Sequence, residues 1–472
     1  MKKIIPISCT IALLLLALFS CNQFPDENNS AVDIRVSTDS ISFDTIISQY
    51  GTTTQSFRII NPTFQSLVIK NITLGSGQNT FFRLNIDGNP VQSMSNVELM
   101  AHDSIFVFVE ATFPEMDVDS ICFQLDSVVI TAADQTQVVR LWTWSQDVIR
   151  KSGRTKAGEV WDGKRPYLIR DSIEIPFGEK LIIKEGTQVF FHQNAYLKIV
   201  GDLVVEGTAE QPVVFQGDRF DKTIFGDDYE TAPGQWAGLV LYPFSKGSKI
   251  DHAIIKNGTF GIWAGAIGYP ELAEIEISNT VIKNQSYAGL VSFGAKVNCS
   301  NTFFADSYTC ILLYNQGEYN FNHVTINNNY SHAVREAGSV HVSDYFDYKG
   351  IRYNGEFGGI TFNNSIIYGN IDDEFTMNVL NAKSIPVRFQ STLLKLKNEV
   401  ELTEYVRKSN LILNVNPLLV NGETENFMFP DTLSPAIDQA DVHVAQLFPL
   451  DIFGNSRTND GQPDMGAVEF QK

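Results

Sequence analysis

"LKIVGDLVVEGTAEQPVVFQG", Leu197 to Gly217, alternates pairs of aliphatic residues with single polar ones and breaks every few residues at Gly, Asp or Pro. Strands this short cannot each carry a core of their own, so the fold must stack many of them. A repeat supplies the stacking. Glu206-Gly207-Thr208 within this stretch echoes Glu185-Gly186-Thr187 in "KEGTQVFF", about 21 residues earlier.

A firmer register follows downstream. Aligning "AIIKN", "TVIKN", "TFFAD" and "VTINN" places Ile255, Ile282, Phe304 and Ile326 in one column, and "SIIYG" resumes it at Ile367. The later spacings are about 22 residues, with no helix-forming stretch between, which is the length of one coil of a parallel β-helix. Five residues before the column stand Ile250, Ile277, Cys299 and Phe321. Eight after it stand Trp263, Leu290, Leu312 and Val334, and six after it Gly261, Ala288, Cys310 and His332. All are expected to face inward. Two after it come Asn257, Asn284, Asp306 and Asn328, residue types that tolerate left-handed backbone and mark a recurring tight turn. The position just before the column, Ile254, Val281, Phe303, Thr325 and Ile366, is outward by alternation yet mostly apolar, so a cover is expected. The insertion at 335–359 or the N-terminal domain is the expected cover.

The N-terminal end carries an address. Lys2 and Lys3 precede an apolar run too short to span a bilayer, and "LFSC", Leu18 to Cys21, resembles the lipobox of bacterial lipoproteins. Residues 1–20 therefore read as a signal peptide, Cys21 as the lipidated residue and membrane anchor, and 21–31 as a flexible tether. Residues 32–146 hold about seven runs with period-two alternation, such as "LVIKNITL" and "SIFVFVEATF", and predict an immunoglobulin-like antiparallel β-sandwich. A linker is expected at 147–165, the β-helix with insertions at 166–430, and a C-terminal tail at 431–472. The chain has 35 basic and 54 acidic residues, and loss of Lys2 and Lys3 takes the formal charge from −19 to −21. Nucleic acid is thereby an unsuitable partner. Cys122, Cys299 and Cys310 remain after processing, an odd trio that makes no disulfide framework.

Three stretches together resemble a known group. "PGQWAGLVL" after "QPVVFQGDR" is similar to the early coils of right-handed parallel β-helix lipoproteins of Bacteroidetes, and "DSIFVFVEATF" is similar to their N-terminal domain. "DTLSPAIDQADV" followed by "DIFGNSRTNDGQPDMGAVEF" resembles the tail called choice-of-anchor Q, with Gln439-Ala440-Asp441 where that tail more often carries a glycine. The resemblance covers nearly the whole mature chain and implies an all-β protein with a right-handed helix, held at the outer membrane. Asp26 and Glu27 in the tether resemble signals for surface export. No reaction or catalytic residue is implied.

Chemistry must then be sought in the residues. A lyase needs a base beside groups that neutralise a uronate, often calcium held by acids, and a hydrolase needs two carboxylates across one groove. Lys256 and Lys283 stack on one outward column with no acid in register and read as a solvated face. His252, His323 and His332 show no metal-ligand spacing and read as structural. Acids cluster in "GDRFDKTIFGDDYE", Gly217 to Glu230, the one stretch that raises calcium; a loop of mixed charge is the plainer reading, and no cofactor is expected. The insertion "REAGSVHVSDYFDYKGIRYNGEFGG", Arg335 to Gly359, breaks the repeat, and solenoid insertions emerge as loops on one face. Tyr345, Phe346, Tyr348, Arg352 and Tyr353 there could stack on sugars and bond their hydroxyls, or form a hairpin that covers apolar surface. The expected role is noncatalytic binding or adhesion with a cell-surface polysaccharide or other glycan as ligand. A polysaccharide lyase or glycoside hydrolase is the alternative, and a structural scaffold the second.

Overall fold

The computed structural model describes residues 33–222, 228–380, 385–397, 406–421 and 428–471. Cys21 and the tether lie outside the described residues, as does 223–227 of the acidic stretch. The chain divides into two compact units after Asp147.

The first unit is a sandwich of two five-stranded sheets. Strands such as Leu67–Leu74 and Ser104–Ala111 alternate buried and exposed side chains, as half-buried strands must. Ile59, Val107 and Leu84 from one sheet and Ile69, Ile130 and Leu141 from the other share one core. Pairing is antiparallel except between Gln135–Gln146 and Ser40–Ile47, which run parallel with a register shift between Trp142 and Trp144. The expected all-antiparallel sandwich is corrected at that pair.

The second unit is built on one 25-stranded sheet. From Lys180–Lys184 to Thr309–Tyr314 each strand pairs in parallel with the third strand further along the chain, so three strands make a coil and the coils stack into a parallel β-helix arrangement. Ser248–Asp251, Ala273–Ser278, Ala295–Ser300 and Gly317–Asn322 form a first face. Ala253–Lys256, Val281–Lys283, Phe303–Ala305 and Thr325–Asn328 form a second. Phe260–Gly265, Ala288–Phe293, Thr309–Tyr314, Val340–Ser343 and Phe375–Asn378 form a third. The interval 147–165 is not a linker: Ile149–Arg154 and Glu159–Trp161 already pair with Tyr167–Ile175 and Lys180–Lys184 as the first coil. Trp161 stacks on Tyr167 there at 4.6 Å.

Two of the expected core columns hold. Ile255, Ile282, Phe304, Ile326 and Ile367 pair in sequence and are all fully buried, as are Ile250, Ile277, Cys299 and Phe321. Burying each such aliphatic or aromatic side chain contributes about 1.5–3 kcal/mol. The third-face column is corrected. Leu290 pairs with Ile262 and Ile311 and faces inward, whereas Trp263 and Leu312 pair with Val291 and His341 on the outer surface. Val334 and His332 lie exposed in a loop between coils. Cys299 and Cys310 are buried free thiols, the first pushed up to about 12 by burial.

Left-handed backbone recurs at two corners. Asn257, Asn284 and Asp306 have φ of 66°, 56° and 45° and confirm the turn after the second face; Asn328 does not share it. A longer ladder, unmarked in the sequence reading, joins the first face to the second. His252, Asn279, Asn301, His323, Asn364, Ser391 and Asn410 each take φ between 46° and 51°, one such residue turning the chain at each coil from His252 onward.

The apolar strip on the second face is covered, but by the C-terminal tail. Ile254, Val281 and Phe303 pack against Ile452, Ala467 and Val468, and Ile366 packs with Leu393 against Ala436 and Met465. This corrects the expectation that the 335–359 insertion or the sandwich is the cover. The tail is fastened by polar groups as well. Arg457 is fully buried and donates to Asn301 Oδ1 at 2.9 Å, with Glu469 at 3.4 Å. Asn364 Nδ2 donates to Asp441 O and Asp441 N to Asn364 Oδ1. Burial pulls Arg457 down to about 10, still protonated at neutral pH, and burial with Asp464 nearby pushes Glu469 up to about 8.

Candidate functional site

The outer surface of the third face is where the insertion lands. Parallel strands lie about 4.8 Å apart, so in-register and diagonal side chains on successive coils meet at ring-stacking distance. Trp263 stacks on Phe293 at 4.9 Å and Phe293 on Tyr314 at 5.1 Å. Tyr314 then lies edge-on to His341 at 6.2 Å. Beyond His341 the same rows continue as Thr376 and, through Ser343, Asn378. The surface thus grades along the helix axis from aromatic rings to hydrogen-bonding groups.

A groove of about 480 Å³ opens at that transition, lined by Tyr287, Tyr308, Leu312, Tyr314, Glu336, His341, Thr376 and Asn378 among others. Its lining is close to neutral. Burial lowers the His341 imidazole, whose Nδ1 shares a 2.9 Å hydrogen bond with Thr376 Oγ1. Burial and the neighbouring Tyr287 hydroxyl, hydrogen-bonded to it, raise the Tyr314 phenol. One rim is braced from below. Arg335 and Glu374 form a buried ion pair at 2.6 Å, Arg335 Nη1 also donates to Asn328 O and Asn370 Oδ1, and Ser339 N donates to Glu374. The Glu336–Ala337 segment of the rim follows directly. Breaking such a pair from one side strands a buried charge and costs about 3–5 kcal/mol.

The insertion is shorter than its expected span. Val340–Ser343 continues the third face, and the hairpin is Tyr345–Tyr348 against Ile351–Asn354, with Lys349 and Gly350 at positive φ in its two-residue turn. Cross-strand pairing joins Phe346 to Tyr353 and Asp347 to Arg352, so the five expected ligand residues divide between two sides. Phe346, Tyr348 and Tyr353 share one side, Tyr345 and Arg352 the other. Phe346 packs on Phe293 at 4.7 Å and Tyr314 at 5.1 Å, so the hairpin covers apolar surface beside the groove. Arg352 grips Asp347 through two hydrogen bonds at 2.8 and 2.7 Å and lies 4.6 Å over Tyr345. Tyr348 is exposed with Lys349 over its ring, and Tyr353 sits against Gly268.

The other candidates resolve into ordinary pairs. Lys256 meets Glu230 at 2.8 Å, an acid supplied from the preceding loop rather than from the coil register. Arg219 pairs with Asp221, and His192 with Asp218. Among the described residues no group of three or more His, Cys, Asp or Glu is placed to hold a metal ion. Tyr287, Tyr308 and His341, which line the groove, were not singled out in the sequence. Tyr287 and Tyr308 fall in turns, and His341 was hidden inside the supposed insertion.

No family model and no curated protein matches the chain. Among solved structures, part of the chain is similar to a family 123 glycoside hydrolase from Clostridium perfringens: 6% identity, TM-score 0.20, over 28% of this chain and 30% of that one. It is similar to the E. coli chaperone DraB at 10% identity and TM-score 0.17, over 24% of this chain and 54% of that one. PapD-like domain 7 of human CEP192 matches at 11% identity and TM-score 0.17, over 27% of this chain and 94% of that domain. The chain therefore spans less than a third of the hydrolase and about half of the chaperone.

Proposed function

We propose that this is a lipid-anchored protein of the outer membrane, exposed at the cell surface, that binds glycan without transforming it. In this reading Cys21 carries the lipid, the first unit is an immunoglobulin-like domain, and the β-helix is right-handed with a choice-of-anchor Q tail. The observation that carries the binding role is the third-face groove, where Tyr287, Tyr308 and Tyr314 meet Thr376, Asn378 and His341. Sugars present apolar C–H faces edged by hydroxyls, and a surface that grades from rings to neutral hydrogen-bonding groups suits both. Among the described lining residues Glu336 is the one carboxylate, whereas two-carboxylate hydrolysis needs a pair, which favours binding over cleavage.

The test is a glycan array with the full mature protein, beside product analysis on polysaccharide mixtures. Binding that Tyr308→Ala weakens at least tenfold, with no shortened or unsaturated product, is expected. Product formation would replace the reading with a lyase or hydrolase, and an empty array with no product would leave a scaffold.

A further inference from the structure

The sandwich unit carries a second cleft, remote in sequence from the groove and lined by residues of its own strands and their connections. Ser104–Ala111 lies between Gln55–Ile60 and Phe82–Ile86, and its outward side chains form rows with theirs. Phe106 opposes Arg58, Phe108 opposes Asn85, and Glu110 opposes Arg83. The short strand Asn89–Pro90 folds back on Asn85 and Ile86, and Val91 N donates to Leu84 O. Between this return and the sheet lies a cleft of about 490 Å³, lined by Arg83, Asn85, Val91, Gln92, Phe108 and Glu110 among others. That volume falls in the range of small-molecule sites, about 300–1,000 Å³.

Three features of the cleft suit a ligand. Phe108 leaves 37% of its surface exposed on a sheet face, stacked at 5.9 Å and 18° beside the equally outward Phe106. Asn85 Oδ1 is buried with no hydrogen-bond partner, an arrangement that native structures seldom leave unmet. Arg83 and Glu110 stand 3.5 Å apart beside them, with Arg83 Nη2 also donating to Thr112 Oγ1, so the cleft offers donors and acceptors with its charge already balanced.

We propose that this cleft binds one pyranose residue, its apolar C–H face on Phe108, one hydroxyl donating to Asn85 Oδ1, and neighbouring hydroxyls bridging Glu110 and Arg83. A hydroxyl both donates and accepts, which suits a rim that alternates amide, carboxylate and guanidinium. A nucleotide would also bring a flat ring, but its phosphates meet a chain of net charge −19 and an arginine that already has a carboxylate partner. The cleft is independent of the groove on the helix. A chain carrying both would hold a polysaccharide at two points and gain avidity from the link between them.

Saturation-transfer NMR on the full mature protein tests this, with the methyl pyranosides of glucose, galactose, mannose and N-acetylglucosamine as probes and adenosine as control. Transfer to the ring protons of at least one pyranoside is expected at millimolar concentration. It should persist in Tyr308→Ala, which silences the groove, and fall at least fivefold when Phe108→Ala or Glu110→Gln is added to that variant. Both cleft variants change outward side chains, and an unchanged thermal midpoint confirms that they fold. Loss in Tyr308→Ala with persistence in Phe108→Ala would overturn the cleft and leave the groove as the sugar site. Transfer to adenosine alone, or to no probe, would overturn the cleft as well.

Discussion

Phe303 and Phe304 are neighbours in the chain, both buried, and serve different layers. Phe304 lies in the column between Ile282 and Ile326 inside the coil stack, whereas Phe303 lies between Val281 and Thr325 beneath Ile452 and Val468 of the tail. Truncating a buried phenylalanine to alanine costs about 3–5 kcal/mol. In Phe304→Ala that loss falls on stacking of coils. In Phe303→Ala it falls on docking of the tail, and at about 1.4 kcal/mol per decade it raises the tail's opening equilibrium by two to three and a half powers of ten. Hydrogen exchange read by mass spectrometry separates the two. Amides that fasten the tail, such as Ala467 N to Thr325 Oγ1 and Gly466 N to Asn364 O, should exchange faster by that factor in Phe303→Ala. Coil amides over 295–328 should keep their protection there and lose it in Phe304→Ala. Equal acceleration of tail and coil amides in Phe303→Ala would refute the idea that the tail is a layer with its own opening equilibrium.

Other outcomes follow from the same contacts. Cys21→Ala should move the protein from the membrane to the soluble fraction on centrifugation, because lipid is its expected anchor. Ile311→Ala should lower stability by about 2–5 kcal/mol and Lys296→Ala by less than about 0.5 in denaturant melts, since the first is in the core and the second exposed. Of Cys122, Cys299 and Cys310, native alkylation at mildly alkaline pH should modify Cys122 alone by mass spectrometry, as burial raises the other two thiols. The Glu469 carboxyl, raised from an ordinary 4.5 to about 8 in the fold, stabilises when protonated. That contribution is complete below the unfolded value and is lost as pH rises through the folded one. The thermal midpoint should therefore fall between those two values, and Glu469→Gln should flatten the fall.

The sequence was most legible where the coil has constant length. From Ile250 to Ile255, Ile277 to Ile282 and Cys299 to Phe304 the offset is always five, because a single left-handed residue makes the corner. From the second face to the third the corner varies. Ile255 to Ile262 and Phe304 to Ile311 differ from Ile282 to Leu290 by one residue, and Ile326 to Val340 takes in a whole loop. A fixed offset therefore exchanged inward and outward residues at Trp263, Leu312 and Val334. The need for a cover over Ile254, Val281 and Phe303 was legible from alternation; its identity was not. Attachment after Ser343 commits the hairpin to the third face, and the tail's anchoring groups, Arg457, Asp464 and Glu469, are charged residues that a pattern reading assigns to solvent. The groove escaped for a related reason, since Tyr287, Tyr308 and His341 converge from separate coils.

The left-handed corner ladder also governs how long this solenoid can be. Coil stacks ordinarily accept an added or lost repeat, because each repeat touches only its neighbours. Here Asn410 donates to Gln439 O, Asn364 exchanges two bonds with Asp441, and Asn301 donates to Leu450 O while accepting from Arg457. The tail runs back along the corners like a ruler with three marks. A duplicated coil between Asn301 and Asn364 would slide one mark about 4.8 Å out of reach. Growth by repeat duplication is therefore closed between Asn301 and Asn410, and the packing of Ile254 and Val281 under Ile452, Ala467 and Val468 extends the constraint to the coils before Asn301.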